Sequence, residues 1–199
     1  MSKRRKRGKN RAVWAFAVLV ILIILFVSVL PDALEKVNYP IRYKEWIEEF
    51  SFEYNLDPAL VAAIVYTESG YDVNALSSVG ARGLMQLMPS TAEWIHPKLE
   101  KSYSFDEEVL FTVDGSLTYG CWYLNFLSDL FDGDRMSVIA AYHAGQGKVQ
   151  SWREDASCAP DGVHLVNIPE GAKATRHYVE KVNKAYEYYF EVYHADTGE

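Results

Sequence analysis

Metal and disulfide chemistry have little to stand on in this chain. Its 199 residues include two cysteines and five histidines, and no Cys or His pair falls at metal-ligand spacing, which argues against a zinc site. Cys121 and Cys158 can bridge only if their Cα atoms approach each other, which the sequence does not fix. Internal repeats and low-complexity tracts are absent. Alternating runs of strand period are few, so helix is left as the main regular structure. Positive charge is scarce beyond the first eleven residues. That stretch holds seven of the 20 Lys and Arg, so 13 remain to face all 27 Asp and Glu, a balance of −14. Such a body has no electrostatic footprint for nucleic acid.

What is present begins with a long apolar run. Ala12 to Leu30 (AVWAFAVLVILIILFVSVL) has no charged side chain over 19 positions, which as a helix would span roughly 28 Å, about one bilayer core. The run is longer than the ~7–15 apolar residues of a cleaved signal peptide, and VSVLPDA makes a poor cleavage site. The sequence therefore predicts a single membrane-anchoring helix. A basic tail over 1–11 would stay in the cytoplasm, and everything from Pro31 onward would lie outside it. A linker is expected over 31–41 and one domain over 42–199, since the length suits one core plus an appendage.

The domain reads as mainly α. A first helix is expected over Arg42 to Tyr54, with Trp46, Ile47, Phe50 and Phe52 as its apolar side. Asp57 is a good N-cap and Pro58 suits the first helical position, so Pro58 to Glu68 should be a helix ending at Gly70, with Leu60, Val61, Ile64 and Val65 as its stripe. Ser90 with Glu93 has the spacing of a capping box. A long helix is expected over Val113 to Phe131, and Asp132-Gly133-Asp134 should turn the chain into a shorter helix ending at Ala144-Gly145. The last amphipathic helix is expected over Ala172 to Tyr193. Gly145 and Gly147 lack the strand and the Lys-Ser/Thr ending of a phosphate loop. Periodicity places Trp122 in the core and leaves Trp94 and Trp152 open between core packing and sugar stacking.

Glu68 stands four residues after Ile64 and seven after Val61, on the buried face of its helix. Loss of water there disfavours the charged carboxylate and raises its pKa, which suits a proton donor near neutral pH. The competing reading is a last-turn glutamate that bends into solvent.

Three stretches shift that balance. Glu68 to Thr91 (ESGYDVNALSSVGARGLMQLMPST) resembles the first motif of the transglycosylase SLT family. Ala140 to Val149 (AAYHAGQGKV) is similar to its AAYNAGPG segment, and Thr175 to Val182 (TRHYVEKV) to its terminal TRxYVxxV. The blocks occur in the family's order and frame most of Asp57 to Tyr186. His143 stands where the family usually has Asn, and Ala174 where it usually has Glu.

The resemblance implies a lysozyme-like fold acting on peptidoglycan glycan strands with no cofactor or metal. It makes Glu68 the catalytic acid and base. Ser77, Gln86 and Met88 would line sugar subsites, and Tyr142 and Tyr178 would hydrogen-bond near Glu68. From the residues alone, Ser77 could instead cap a turn, and Met88 and the tyrosines could be packing residues.

Most glycosidases flank the scissile bond with two carboxylates. The motif here fixes one, which suffices if the substrate supplies its own nucleophile. The resemblance implies cleavage between N-acetylmuramic acid and N-acetylglucosamine with a 1,6-anhydro product. A hydrolytic muramidase recruiting Asp72, or a non-catalytic glycan-binding scaffold, are the other readings.

Overall fold

In the computed structural model, residues 38–102 and 104–195 are described. The described residues from Arg42 onward form one compact unit. Seven α-helices make up its described part: α1 (Lys44–Glu53), α2 (Pro58–Ser69), α3 (Pro89–Ile95), α4 (Val113–Leu130), α5 (Arg135–Ala144), α6 (Gln146–Arg153) and α7 (Lys173–His194). Short 3-10 turns occupy His96–Leu99, Glu107–Phe111 and Glu170–Ala172. The nearest approach to a sheet among the described residues is a pair of isolated antiparallel bridges, Leu76 to Arg82 and Arg82 to Leu87.

Helix α2 is the axis of the unit, because its sequence offers no polar face over its first two turns. Ala59 and Val61 to Val65 are all buried, so the helix is enclosed rather than laid on a surface. At about 1.5–3 kcal/mol per buried valine or isoleucine, Val61, Ile64 and Val65 together drive its docking. The Asp57 side chain accepts from the Ala59 N–H at 2.9 Å, Pro58 opens the helix, and Gly70 closes it at φ 61°. Helix α7 packs along α2, α5 packs on α7, and α1 joins α2 to α4.

Two close approaches seat the following loop on α4 and on the 3-10 turn before it. Gly83 has φ 72°, and a Cβ there would fall 1.8 Å from the Leu110 carbonyl oxygen, so no other residue fits. A Cβ on Gly120 would lie 2.2 Å from Met85 Sδ, so its absence admits the buried methionine.

Several expectations need correction. No helix among the described residues is long and apolar enough to cross a membrane, and the stretch 12–30 lies outside the described residues. The most apolar helix, α2, has 12 residues, about 18 Å against a hydrocarbon core of about 30 Å. The longest, α7, has 22 residues and exposes Lys173, Glu180, Lys181, Lys184 and Glu187. The membrane anchor, its single-pass topology and the resulting localisation are therefore withdrawn, leaving a mainly α domain.

The Ser90–Glu93 capping box does not form. Pro89 takes the first position of α3 and Met88 the N-cap, so Ser90 lies one residue inside the helix. Phe52 is 91% exposed and Trp46 also faces out, while Ser51 is buried in their place. Helix α6, for which no expectation was set, is short, polar and contains Gly147.

Candidate active site

Glu68 lies in the last turn of α2, half-buried. One group reaches it from the far end of the chain: the Tyr178 hydroxyl, on α7, donates to Glu68 Oε1 at 2.7 Å. Burial pushes the carboxyl up to about 7, and the phenol hydrogen bond acts in the opposite direction by favouring the charged form. Near neutral pH this glutamate therefore holds a proton that it can release. Tyr178 is driven well above the ordinary phenol range by burial and by Glu68, and stays a neutral donor.

Tyr142 stands on α5. Its hydroxyl donates to the Met85 carbonyl at 2.9 Å rather than to Glu68. Burial, then the nearby Glu68 charge, raise its pKa, which keeps it in the electrostatic neighbourhood of the carboxyl. The Met85 N–H donates to Ser116 Oγ at 3.1 Å, so the residue is held by both its amide and its carbonyl.

The loop between α2 and α3 carries the remaining predicted residues. Ser69 Oγ donates to the Leu84 carbonyl at 2.8 Å, tying the loop to the end of α2. Ser77 Oγ accepts from the Ala81 N–H at 2.9 Å, so its hydroxyl does cap a turn. Gln86 sits at φ 47°, and its Nε2 donates to the Ala75 and Gly83 carbonyls at 3.0 and 3.1 Å. Those two bonds offset the cost of its left-handed backbone. Met88 is 38% exposed at the start of α3, not core filler. On the outside, Arg82 spans Glu107 and Glu108, each at 2.7 Å, and fastens the loop to the turn before α4. Asp72 is exposed and accepts from the Asn74 N–H at 2.9 Å, a local turn rather than a partnership with Glu68.

Two clefts adjoin this loop. One of about 370 Å³ is lined by Ser90, Thr91, Trp94, Tyr123 and Gly145 to Gly147. The other, about 550 Å³, shares Ser90 and runs past Glu93, Phe105, Asp106 and Glu107. Glu68 lines neither cleft. Behind Tyr123 of that first cleft lies Tyr142, its ring 5.6 Å away. Trp94 packs edge-on against Trp122 and Phe126 and lies under Lys98 Nζ at 4.0 Å, which leaves its indole at the cleft surface.

Thr91, Tyr123 and Gln146 carry no sequence signal of a role, and Trp94 is open between core and sugar stacking in the sequence. A tryptophan three residues after the motif's last threonine was the available signal. Among the described residues no three His, Cys, Asp or Glu side chains gather to hold a metal ion. Cys121 and Cys158 are both buried free thiols.

The Transglycosylase SLT domain profile matches residues 45–161. The soluble lytic murein transglycosylase of Escherichia coli K12 is 30% identical over 167 residues, covering 83% of this chain and 25% of that protein. In structure, the chain is similar to the 70 kDa soluble lytic transglycosylase of Escherichia coli. That match has TM-score 0.69 and 25% identity, over 96% of this chain and 30% of that one. It is also similar to the lytic transglycosylase Slt of Pseudomonas aeruginosa, with TM-score 0.67 and 26% identity over 80% of this chain and 26% of that one. The chain thus spans about a quarter of the length of the curated relatives it matches. The matched profile covers more than half of the sequence and the helical fold agrees with the solved relatives, so the chain belongs to the transglycosylase SLT domain family.

Proposed function

We propose that this chain is a peptidoglycan lytic transglycosylase that cleaves the β-1,4 bond between N-acetylmuramic acid and N-acetylglucosamine. The observation that carries the reading is Glu68, a carboxyl lifted to about 7 by burial and held at 2.7 Å by the Tyr178 phenol. Protonated Glu68 gives its proton to the glycosidic oxygen as the bond to the muramic C1 breaks. The resulting carboxylate takes the proton of the muramic 6-hydroxyl while that oxygen attacks C1, closing a 1,6-anhydro ring and restoring the acid. Water is not consumed. A hydroxyl already held beside C1 has a high effective concentration, which lets the internal route outrun hydrolysis.

In this reading Ser77, Gln86 and Met88 border the sugar subsites. Tyr178 holds the carboxyl, and Tyr142 sets the loop beside it by fixing Met85. Exposure of Asp72, and its use in a turn, favour the one-carboxylate route over a hydrolytic one. Mass spectrometry of peptidoglycan digested with the purified full-length chain tests the proposal. Anhydro-muramic ends are expected; reducing muramic ends would establish hydrolysis, and intact strands would leave a glycan-binding protein.

A further inference from the structure

His143 interrupts the second motif where the SLT pattern carries Asn, and the fold gives its ring a defined place. It stands near the end of α5, exposed at its edge. Its ring centroid is 4.6 Å from that of Tyr178, with the planes tilted by 31°. Its Nδ1 lies 3.1 Å from Thr175 Oγ1, a buried hydroxyl. Thr175 and Tyr178 are three residues apart on α7, so they share a face. The imidazole lies over that face, anchored at one end and resting on the phenol ring at the other. The hydroxyl of that phenol ends on Glu68.

The groups facing His143 are few. Thr175 and Tyr178 come from α7 and Lys148 from α6, with Glu68 lying beyond Tyr178. Its own neighbour Tyr142 is turned to Met85. Burial and then the Lys148 charge lower its pKa from 6.5, so at neutral pH the ring is uncharged. It is a brace rather than a second acid.

We propose that His143 is a positioning residue: fixed by Thr175, it holds the Tyr178 ring so that the phenol stays aimed at Glu68. The inference rests on the transglycosylase reading for its role in the reaction. Hydrogen bonds weaken steeply with misalignment, so a phenol free to tilt gives up much of its hold on the carboxyl. Because that bond opposes burial in setting the acidity of Glu68, loosening it makes Glu68 a weaker acid still. General loosening of the site would do the reverse, since admitted water returns the carboxyl toward its ordinary range. The direction of the shift separates the two.

The test uses the full-length chain with His143→Asn, His143→Phe and, as the limit of complete loss, Tyr178→Phe. The alkaline limb of kcat/KM on peptidoglycan reports the ionisation of Glu68. Carbon-13 NMR of the glutamate carboxyls reports it without turnover. His143→Asn is expected to raise the Glu68 midpoint part of the way to the Tyr178→Phe value. It should lower kcat by roughly three- to tenfold with KM within about twofold, a positioning loss. His143→Phe, which restores a stacked ring but not the Thr175 anchor, should recover part of both.

A midpoint that stays or falls in His143→Asn overturns the proposal, as does a His143→Phe variant no better than His143→Asn. If the midpoint moves as expected but wild-type protein leaves peptidoglycan uncut, the brace stands and the transglycosylase reading falls. Cleavage without the shift has the opposite meaning.

Discussion

The two ends of α2 each carry a carboxylate that accepts a hydrogen bond from a tyrosine of α7, yet they are put to opposite uses. At the N-terminus Asp57 accepts from the Ala59 N–H at 2.9 Å and from the Tyr186 hydroxyl at 2.7 Å, with His194 at 3.8 Å. It faces the positive end of the helix dipole, where a negative charge is welcome. At the C-terminus Glu68 has the Tyr178 phenol at the same 2.7 Å, but it faces the carbonyl end of the helix and a buried surround. The lesson is that one phenol does not make a carboxylate stable. At Glu68 burial outweighs the phenol and leaves the carboxyl prone to keep its proton.

Replacing Glu68 by Gln is the sharpest way to break this contrast. Removal of a group that acts as acid and then base should cut peptidoglycan cleavage by about a thousandfold or more; turnover near wild type would remove Glu68 from the chemistry.

The same variant probes the cost of the burial. The pKa of Glu68 is raised on folding, from 4.5 to about 7, so its contribution to stability is present below about 4.5 and is lost as pH rises through about 7. Wild type therefore forgoes up to about 3 kcal/mol at pH 8. Glu68→Gln should melt higher than wild type at pH 8, and the gap should close at pH 4. Equal gaps at both values would mean that the shift is not electrostatic.

Asp57→Ala gives the smallest effect. It should lose ~1–2 kcal/mol of stability through the missing cap while the folded fraction keeps its kcat. Loss of turnover without loss of stability would erase the division of labour between the two ends.

How much of this was legible in the sequence follows the range of the interactions. The ends of α2 were written locally, in Asp57-Pro58 and Gly70, and the turn before α5 in Asp132-Gly133-Asp134. Glu68 stood out by its motif, whereas its helical spacing alone favoured a glutamate bent into solvent. Competition between local signals hid others: Pro89 overrode the Ser90–Glu93 pattern because proline fits a first helical position and leaves Ser90 inside. Phe52 was assigned to the core from hydrophobicity, but the rotation of α1 buries Ser51 instead. The partners of Tyr142 and His143 could not be read at all, because Met85 and Thr175 lie 57 and 32 residues away. The membrane anchor rested on apolar length alone and found no support among the described helices.

Holding Met85 by its amide, by its carbonyl and by a thioether seated on Gly120 makes the loop that follows α2 a mould rather than a jaw. Its entropy of ordering is lost during folding and not when a guest arrives. A ligand that suits the shape is then met without rearrangement there, and one that does not must itself bend.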